Sequence, residues 1–260
     1  MRQLVFAFAM LWAGMAQASQ ITILSIDSEW EVDKVVGNAN VTGDGTNLLH
    51  WGRNFVSDKG PRSGFQFEQT VLGEGFKSTH DANKLFDVGI FTHMNRVIYQ
   101  DEHLETAWLH MRVKASFFDG KEHVERTFNT RYKFSLWETP NYDNPCANGE
   151  DNNLNEFGKV MGGGSFLNQS GCADRVQLLK NDALVDEFEH NGLKYKFELF
   201  GFNSGAEFWT IEDLNNSTEL QARFTVSGGP PISPVPLPAG AWFLIAGLGG
   251  LGLMRRLSRR

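Results

Sequence analysis

The sequence predicts an all-β fold, a single antiparallel β-sandwich of jelly-roll type, and three observations support this. Short apolar runs alternate with polar residues, and clusters of Asn, Asp and Gly separate these runs, as in strands joined by turns. The chain has 27 glycines for turns and 21 phenylalanines for buried strand faces. No long amphipathic helix is visible, so one domain with a sizeable core accounts for residues 19–229 better than two small domains.

Residues 1–18 have the pattern of an export signal. Arg2 precedes an apolar run from Leu4 to Met15, and Ala16-Gln17-Ala18 is the small-x-small pattern that signal peptidase recognises. We expect cleavage between Ala18 and Ser19, which makes signal peptidase a partner and places the mature protein outside the cytoplasm.

The clearest strand pair lies between residues 107 and 136, where two alternating runs flank Asp119-Gly120. Asp-Gly favours a two-residue hairpin turn, which predicts that residue 118 pairs with residue 121. In that register three pairs lie opposite each other: Met111 and Phe128, Lys114 and Glu125, and Trp108 and Arg131. We expect further strands near residues 31–36, 47–51, 64–70, 85–92, 174–179, 193–201 and 222–227.

The only two cysteines are Cys146 and Cys172. In an exported chain we expect them to form a disulfide. The bond would close an Asn- and Gly-rich loop of about 27 residues and stabilise the fold by roughly 3 to 4 kcal/mol. A nucleophilic cysteine is the alternative, but no motif supports it.

The C-terminal segment has the pattern of a membrane stop. A Pro-rich linker, residues 230–238, precedes an uncharged apolar run, residues 239–254, and an arginine cluster, residues 255–260. As a helix this run would be about 24 Å long, a marginal span of the roughly 30 Å hydrocarbon core. The arginines should stay in the cytoplasm, which leaves the body outside, in agreement with the export signal.

This tail resembles a PEP-CTERM sorting signal in its VPLPA variant. The residues that carry the resemblance, and the expected processing site, are Val235, Pro236, Leu237, Pro238 and Ala239. The resemblance implies cleavage by an exosortase in a Gram-negative, exopolysaccharide-producing bacterium. The precursor would be tethered to the inner membrane before the body reaches the cell surface or the extracellular matrix. An ordinary uncut membrane anchor is the alternative.

The body resembles a family of PEP-CTERM proteins named for a Thr-His-x-Asn (THxN) motif. Thr92, His93 and Asn95 form that motif, and three further segments extend the match: His50-Trp51-Gly52, Glu138-Thr139-Pro140-Asn141 and Gly171-Cys172-Ala173-Asp174. The chain departs from the pattern at Val97, where proline is expected. The resemblance implies a β-rich extracellular surface protein and transfers no catalytic residues.

His93 allows two interpretations. A neutral imidazole can be a metal ligand or a base, but His93 has no partner at a useful spacing. A histidine that is hydrogen-bonded to hold a strand end is the interpretation we favour.

Composition and motifs exclude several classes of function. The net charge is -7 and no basic run occurs outside the tail, which argues against nucleic-acid binding. The sequence has no nucleophile elbow, zinc-binding helix or phosphate loop, so we predict no enzyme and no catalytic residue. Two neighbouring acids could cleave a glycosidic bond, although acidic residues more commonly lie on solvated edges without a catalytic role. These acids are Glu102 and Glu105, and Asp186, Glu187 and Glu189.

Residues 151–155 begin like a calcium loop, but Glu156 and Gly162 stand where glycine and a bidentate acid are required. We therefore expect no metal or other cofactor. A looser calcium site remains an alternative, with ligands from Asp143, Glu150, Asp151 and Glu156.

Trp108 and Trp137 lie on the polar side of the predicted hairpin. Each could stack on a sugar ring or pair with a cation, and Arg131 beside Trp108 favours the second interpretation. The sequence therefore predicts an exported, non-enzymatic structural or adhesive protein of the cell surface or exopolysaccharide matrix. A carbohydrate-binding or carbohydrate-cleaving module is the alternative.

Overall fold

The computed structural model describes residues 20–55, 57, 59–69, 77–118, 122–155, 157–179 and 186–228. These residues form antiparallel strands in two six-stranded sheets, without a helix, which confirms the all-β prediction. Within them there is accordingly no apolar helix of membrane-spanning length. The export signal with its Ala18–Ser19 cleavage site, and the tail from residue 230 with Val235–Ala239, lie outside the described residues.

Each sheet contains strands from distant parts of the chain. The first sheet has the order β11-β8-β7-β6-β1-β4 and the second β2-β3-β5-β12-β10-β9. The strands are β1 (Gln20–Val35), β2 (Leu48–Trp51), β3 (Ser63–Gln69), β4 (Ser78–Asp81), β5 (Leu85–Met94), β6 (Leu104–Phe118), β7 (His123–Trp137), β8 (Asp174–Leu179), β9 (Glu187–His190), β10 (Leu193–Phe202), β11 (Glu207–Thr210) and β12 (Asn215–Gly228).

The core between the sheets is strongly aromatic. Alternation along the strands turns one face of each sheet inward, and the rings of the two faces interdigitate. Trp30 of β1 contacts Phe65 of β3 at a centroid distance of 5.5 Å, and Phe91 of β5 stacks on Phe134 of β7 at 5.4 Å. All four side chains are fully buried. Burial of these large rings is the main force that holds the sheets together.

The predicted hairpin register is wrong by two residues. Phe118 pairs with His123 rather than with residue 121, so the connection is longer than two residues, and its residues 119–121 lie outside the described ones. The predicted faces are nevertheless correct, because a shift of two residues keeps every side chain on its side of the sheet. Two predicted contacts are still made, between residues that are diagonal and not directly opposite. Lys114 lies 2.7 Å from Glu125, and Arg131 lies 4.8 Å from the centroid of the Trp108 ring.

The cysteines form the predicted disulfide, Cys146–Cys172. Buried asparagines order the loop that this bond closes. The Asn168 side chain donates to Asn148 Oδ1 at 3.1 Å and accepts from the Ala173 backbone N–H at 3.1 Å. Asn152 Nδ2 donates to the carbonyl oxygen of Asn141 at 2.9 Å. Polar contacts thus replace the apolar burial that this loop lacks.

We expect the double variant Cys146→Ser, Cys172→Ser to lose about 3 kcal/mol of unfolding free energy, because the bond links residues 26 positions apart. Denaturant titration measures this loss, and wild type in excess reductant should show the same loss. Equal unfolding midpoints for the oxidised wild type and the variant would contradict a stabilising disulfide.

Candidate functional site

The segments that carry the THxN resemblance meet at one end of the two sheets. His93 lies at the end of β5 in the second sheet. Trp51 is the last residue of β2 in the same sheet. In the first sheet, Asp174 begins β8 and pairs with Thr210, the last residue of β11. Glu138 directly follows β7, whose last residue pairs with the residue after Asp174. Strand pairing, and not sequence proximity, therefore assembles this group.

His93 connects the two sheets through Thr210. Its Nδ1 lies 2.8 Å from Thr210 Oγ1, and this hydroxyl donates to the backbone oxygen of Asp174 at 3.2 Å. Because the hydroxyl has a single hydrogen, His93 Nδ1 must be the donor to Thr210. The indole of Trp51 stacks on the imidazole at a centroid distance of 5.8 Å.

The environment keeps His93 neutral. Complete burial, and secondarily the positive charge of Arg96, lower the pKa of His93 to about 3. A buried imidazole with such a pKa is a poor base near neutral pH. The geometry agrees with the interpretation of His93 as a residue that holds a strand end.

The other two motif residues have different positions. Asn95 is fully buried, and its Nδ2 donates to the Thr210 backbone oxygen at 3.2 Å, which adds a second contact between the sheets. Thr92 lies on the opposite side of β5, where its hydroxyl contacts Ser217 Oγ at 2.8 Å. Alternation along the strand explains why Thr92 and His93 face opposite ways.

Next to Thr210 lies a buried acid cluster, formed by Glu138, Asp174 and Glu212. Each offers a carboxylate oxygen, and these oxygens all lie within 4.8 Å of one another. Asp174 and Glu212 are fully buried and Glu138 is 6% exposed. Among the described residues no Lys or Arg forms an ion pair with these carboxyl groups.

Local hydrogen bonds position the acids. The Thr139 backbone N–H donates to Asp174 Oδ1 at 2.7 Å. Glu212 lies in the turn between β11 and β12, and Asn216 closes this turn by accepting from the Ile211 N–H at 2.8 Å. The side chain of Asn95 lies within hydrogen-bonding reach of both Asp174 and Glu212.

Burial raises the pKa of all three carboxyl groups, because a charged group loses its hydration there. The mutual repulsion of the charges adds to this rise at Glu138 and Glu212, and the pKa of Asp174 reaches about 7. Such a cluster must retain protons or be neutralised by a cation. Its oxygen donors are of the type that binds hard divalent cations.

The two tryptophans on the polar side of β6 and β7 lie next to cations. Trp108 donates from Nε1 to Asp33 Oδ1 at 3.1 Å and lies under Arg131, as the sequence favoured. Trp137 is 45% exposed, and the Arg175 guanidinium lies 4.8 Å from its ring centroid. Arg175 also lies 5.8 Å from the Trp209 ring, so the three side chains form a partly exposed group at one edge of the first sheet.

The acids singled out for glycoside chemistry have separate partners. Glu102 pairs with Arg53 at 3.0 Å, and Glu105 pairs with Lys34 at 2.7 Å. Asp186 accepts from the Asn129 backbone N–H at 3.1 Å. Each of these three acids therefore has a polar partner of its own.

The looser calcium site is not formed by the described residues. Of its four ligands, Asp143, Glu150 and Asp151 do not converge, and Glu156 lies outside the described residues. Within the described residues, the one group of three close acidic, His or Cys side chains is the acid cluster. From the sequence, Glu138 and Asp174 were identified only as parts of the motif segments, and Glu212 was not identified.

Comparison with protein-family models and with curated proteins gives no match. The resemblance to the THxN family therefore rests on the motif segments themselves, and the functions it implies are proposals.

The acid cluster predicts a specific dependence of stability on pH. A carboxyl whose pKa is raised on folding contributes stability that is present below its unfolded pKa and lost as the pH rises through its folded pKa. His93, whose pKa is lowered on folding, opposes this trend only weakly in that range, because its unfolded imidazole is at most half protonated above pH 6.5. In buffer with a chelator, the unfolding free energy should fall by more than about 1 kcal/mol between roughly pH 6.5 and 8.5.

Denaturant titration at each pH measures this dependence. Glu212→Gln removes one of the three carboxyl groups and should make the decrease shallower, whereas the exposed control Glu105→Gln should not. An unfolding free energy that rises across this pH window would show that the cluster is not protonated in the folded protein.

Proposed function

We propose that this protein is an exported, non-enzymatic structural or adhesive component of the bacterial cell surface or exopolysaccharide matrix, built as a jelly-roll-like sandwich. The observation that carries the proposal is the burial of the motif: His93 and Asn95 are both 0% exposed and bond to Thr210 of the opposite sheet. Side chains in this position stabilise the body and cannot contact a polymer outside it.

The disulfide loop supports an adhesive role. Four apolar side chains on this loop are between 62% and 82% exposed, which is unusual for residues of this type. The disulfide and the buried Asn168 fix the backbone that presents them. A rigid loop with exposed apolar side chains is suited to binding a surface partner. The four residues are Phe157, Val160, Met161 and Phe166.

The proposed route to the surface rests on the two terminal segments. The export signal leads the chain across the inner membrane, and the apolar run 239–254 with its arginines stops it there. An exosortase would then cut near Val235–Ala239 and release or re-anchor the body. The disulfide is consistent with an oxidising compartment.

A carbohydrate-binding module is the second candidate, favoured by one observation. Trp137, Trp209 and Arg175 form the partly exposed group described above, and an exposed indole such as that of Trp137 can stack on a sugar ring. Arg175 occupies part of these ring surfaces, which makes the group a weaker candidate than the loop.

The test uses mature protein purified from its native cells and the exopolysaccharide of the same cells. Intact mass should correspond to a chain that begins at Ser19 and lacks Arg255–Arg260. We expect this protein to release no reducing sugar and to co-sediment with the cell surface or matrix, and the double variant Met161→Ser, Phe166→Ser should co-sediment several-fold less.

Three other outcomes would each contradict part of this proposal. Binding that is lost in Trp137→Ala but kept in the loop variant would identify a carbohydrate-binding module. Sugar release that disappears when a single acid is replaced by its amide would contradict the non-enzymatic proposal. A mature chain that still ends at Arg260 would indicate an ordinary membrane anchor.

A further inference from the structure

We propose that the acid cluster of Glu138, Asp174 and Glu212 binds one structural Ca²⁺ ion, with the amide oxygen of Asn95 as a further ligand. This site differs from the loop site considered from the sequence, and it does not depend on whether the protein is adhesive or binds carbohydrate.

The spacing of the oxygens fits a calcium ion. One carboxylate oxygen from each of the three acids lies within 4.8 Å of the other two. Two ligands on opposite sides of a calcium ion lie about 4.8 Å apart, since each Ca–O distance is about 2.4 Å. One ion can therefore contact all three carboxylates without a change in the backbone.

A second observation, independent of the acids, points to a bound cation. Asn95 is 0% exposed, and its Oδ1 has no hydrogen-bond partner, although its Nδ2 donates to Thr210. The Asn95 amide lies within hydrogen-bonding reach of Asp174 and Glu212, which places its unpaired oxygen close to the acids. Buried polar atoms are nearly always paired, and an unpaired amide oxygen among carboxylates is the arrangement that a calcium ion uses.

The acids have unpaired oxygens of their own. Four carboxyl oxygens accept no hydrogen bond of regular geometry, although the Asn95 amide lies close to Asp174 and Glu212: both oxygens of Glu212, Glu138 Oε2 and Asp174 Oδ2. With the Asn95 oxygen this makes five unpaired oxygens in a fully buried group. One divalent cation would bind several of them at once and neutralise most of the charge.

The donor set selects among cations. All the donors are oxygens, and carboxylate and amide oxygens favour Ca²⁺ or Mg²⁺ over zinc or copper. Carboxylates that can bind through both oxygens suit the six to eight ligands of Ca²⁺ better than the strict octahedron of Mg²⁺. His93 is not a ligand, because its Nδ1 is used by Thr210 and the imidazole is not part of the oxygen group.

The ion would connect parts of the chain that are distant in sequence. Glu138 follows β7, Asp174 begins β8, Glu212 precedes β12, and Asn95 follows β5 of the other sheet. A ligand that binds only the folded chain stabilises it. Because the acids are buried, we expect the ion to be taken up during folding and to exchange slowly with solvent.

The experiment measures bound metal and thermal stability in the mature protein. After passage over a chelating resin, elemental analysis should find about one Ca²⁺ per chain. The melting temperature in 1 mM Ca²⁺ should exceed that in EDTA by at least about 5 °C, because EDTA captures the ion that unfolding releases. The same concentration of Mg²⁺ should give a smaller shift.

Variants identify the site. Glu212→Gln and Asp174→Asn keep the shape of the side chain but remove its charge, and each should lose the bound ion and the melting shift. Asp151→Asn, in the disulfide loop, is the matched control and should keep both. Should the cluster variants fail to fold, the metal content and melting shift of the wild type and of Asp151→Asn decide the question.

Three outcomes would overturn the proposal. Wild type without bound Ca²⁺ and with equal melting temperatures in Ca²⁺ and EDTA would show that the acids share protons instead. Loss of the ion in Asp151→Asn would place the calcium in the disulfide loop. A Mg²⁺ shift equal to or larger than the Ca²⁺ shift would assign the site to a different cation.

Discussion

The hydrogen bond between His93 and Thr210 joins the end of β5 in one sheet to the end of β11 in the other. Apolar contacts between two sheets are not directional and allow the sheets to slide, whereas a buried hydrogen bond has a defined geometry. Asn95 adds a parallel contact to the same residue, and Trp51 covers the imidazole. This end of the two sheets is therefore fixed by polar contacts next to an aromatic core.

The same constraint brings the acids together. Thr210 pairs with Asp174 across the first sheet, so the residue that bonds to His93 also places Asp174 beside Glu138 and Glu212. Three carboxyl groups in such a space destabilise the fold unless protons or a cation neutralise them. Protonation would make stability fall as the pH rises, whereas a bound Ca²⁺ would remove that dependence near neutral pH and add a dependence on calcium.

Much of the fold could be predicted from the sequence, because alternation reports directly on strand faces. The inward residues of β6 and β7 were correctly assigned even though the turn at Asp119-Gly120 gave the wrong register, since the side-chain period is two residues. The short strands β4, β9 and β11 were missed because segments such as Ser78–Asp81 have too few apolar residues to show a pattern. The disulfide followed from the export signal and the count of cysteines.

The candidate site could be predicted only in pieces. His93 and Asn95 were identified by the motif, and Glu138 and Asp174 lay in segments that carry the resemblance. Their proximity depends on which strands pair across the sheets, and no local pattern shows this. Glu212 follows a short strand, and an acid in a turn is ordinarily solvent-exposed, so nothing in the sequence marked it as buried.

A double-mutant cycle between His93→Leu and Thr210→Val tests most directly whether the motif holds the two sheets together. Each variant replaces a polar side chain by an apolar one of similar volume and so removes one partner of the hydrogen bond. Unfolding free energies of the wild type, both single variants and the double variant give the coupling between the two residues. We expect a favourable coupling of about 1 to 2 kcal/mol, as for a buried hydrogen bond. A coupling indistinguishable from zero would contradict this role of His93 and would leave Asn95 and the aromatic core to connect the sheets at this end.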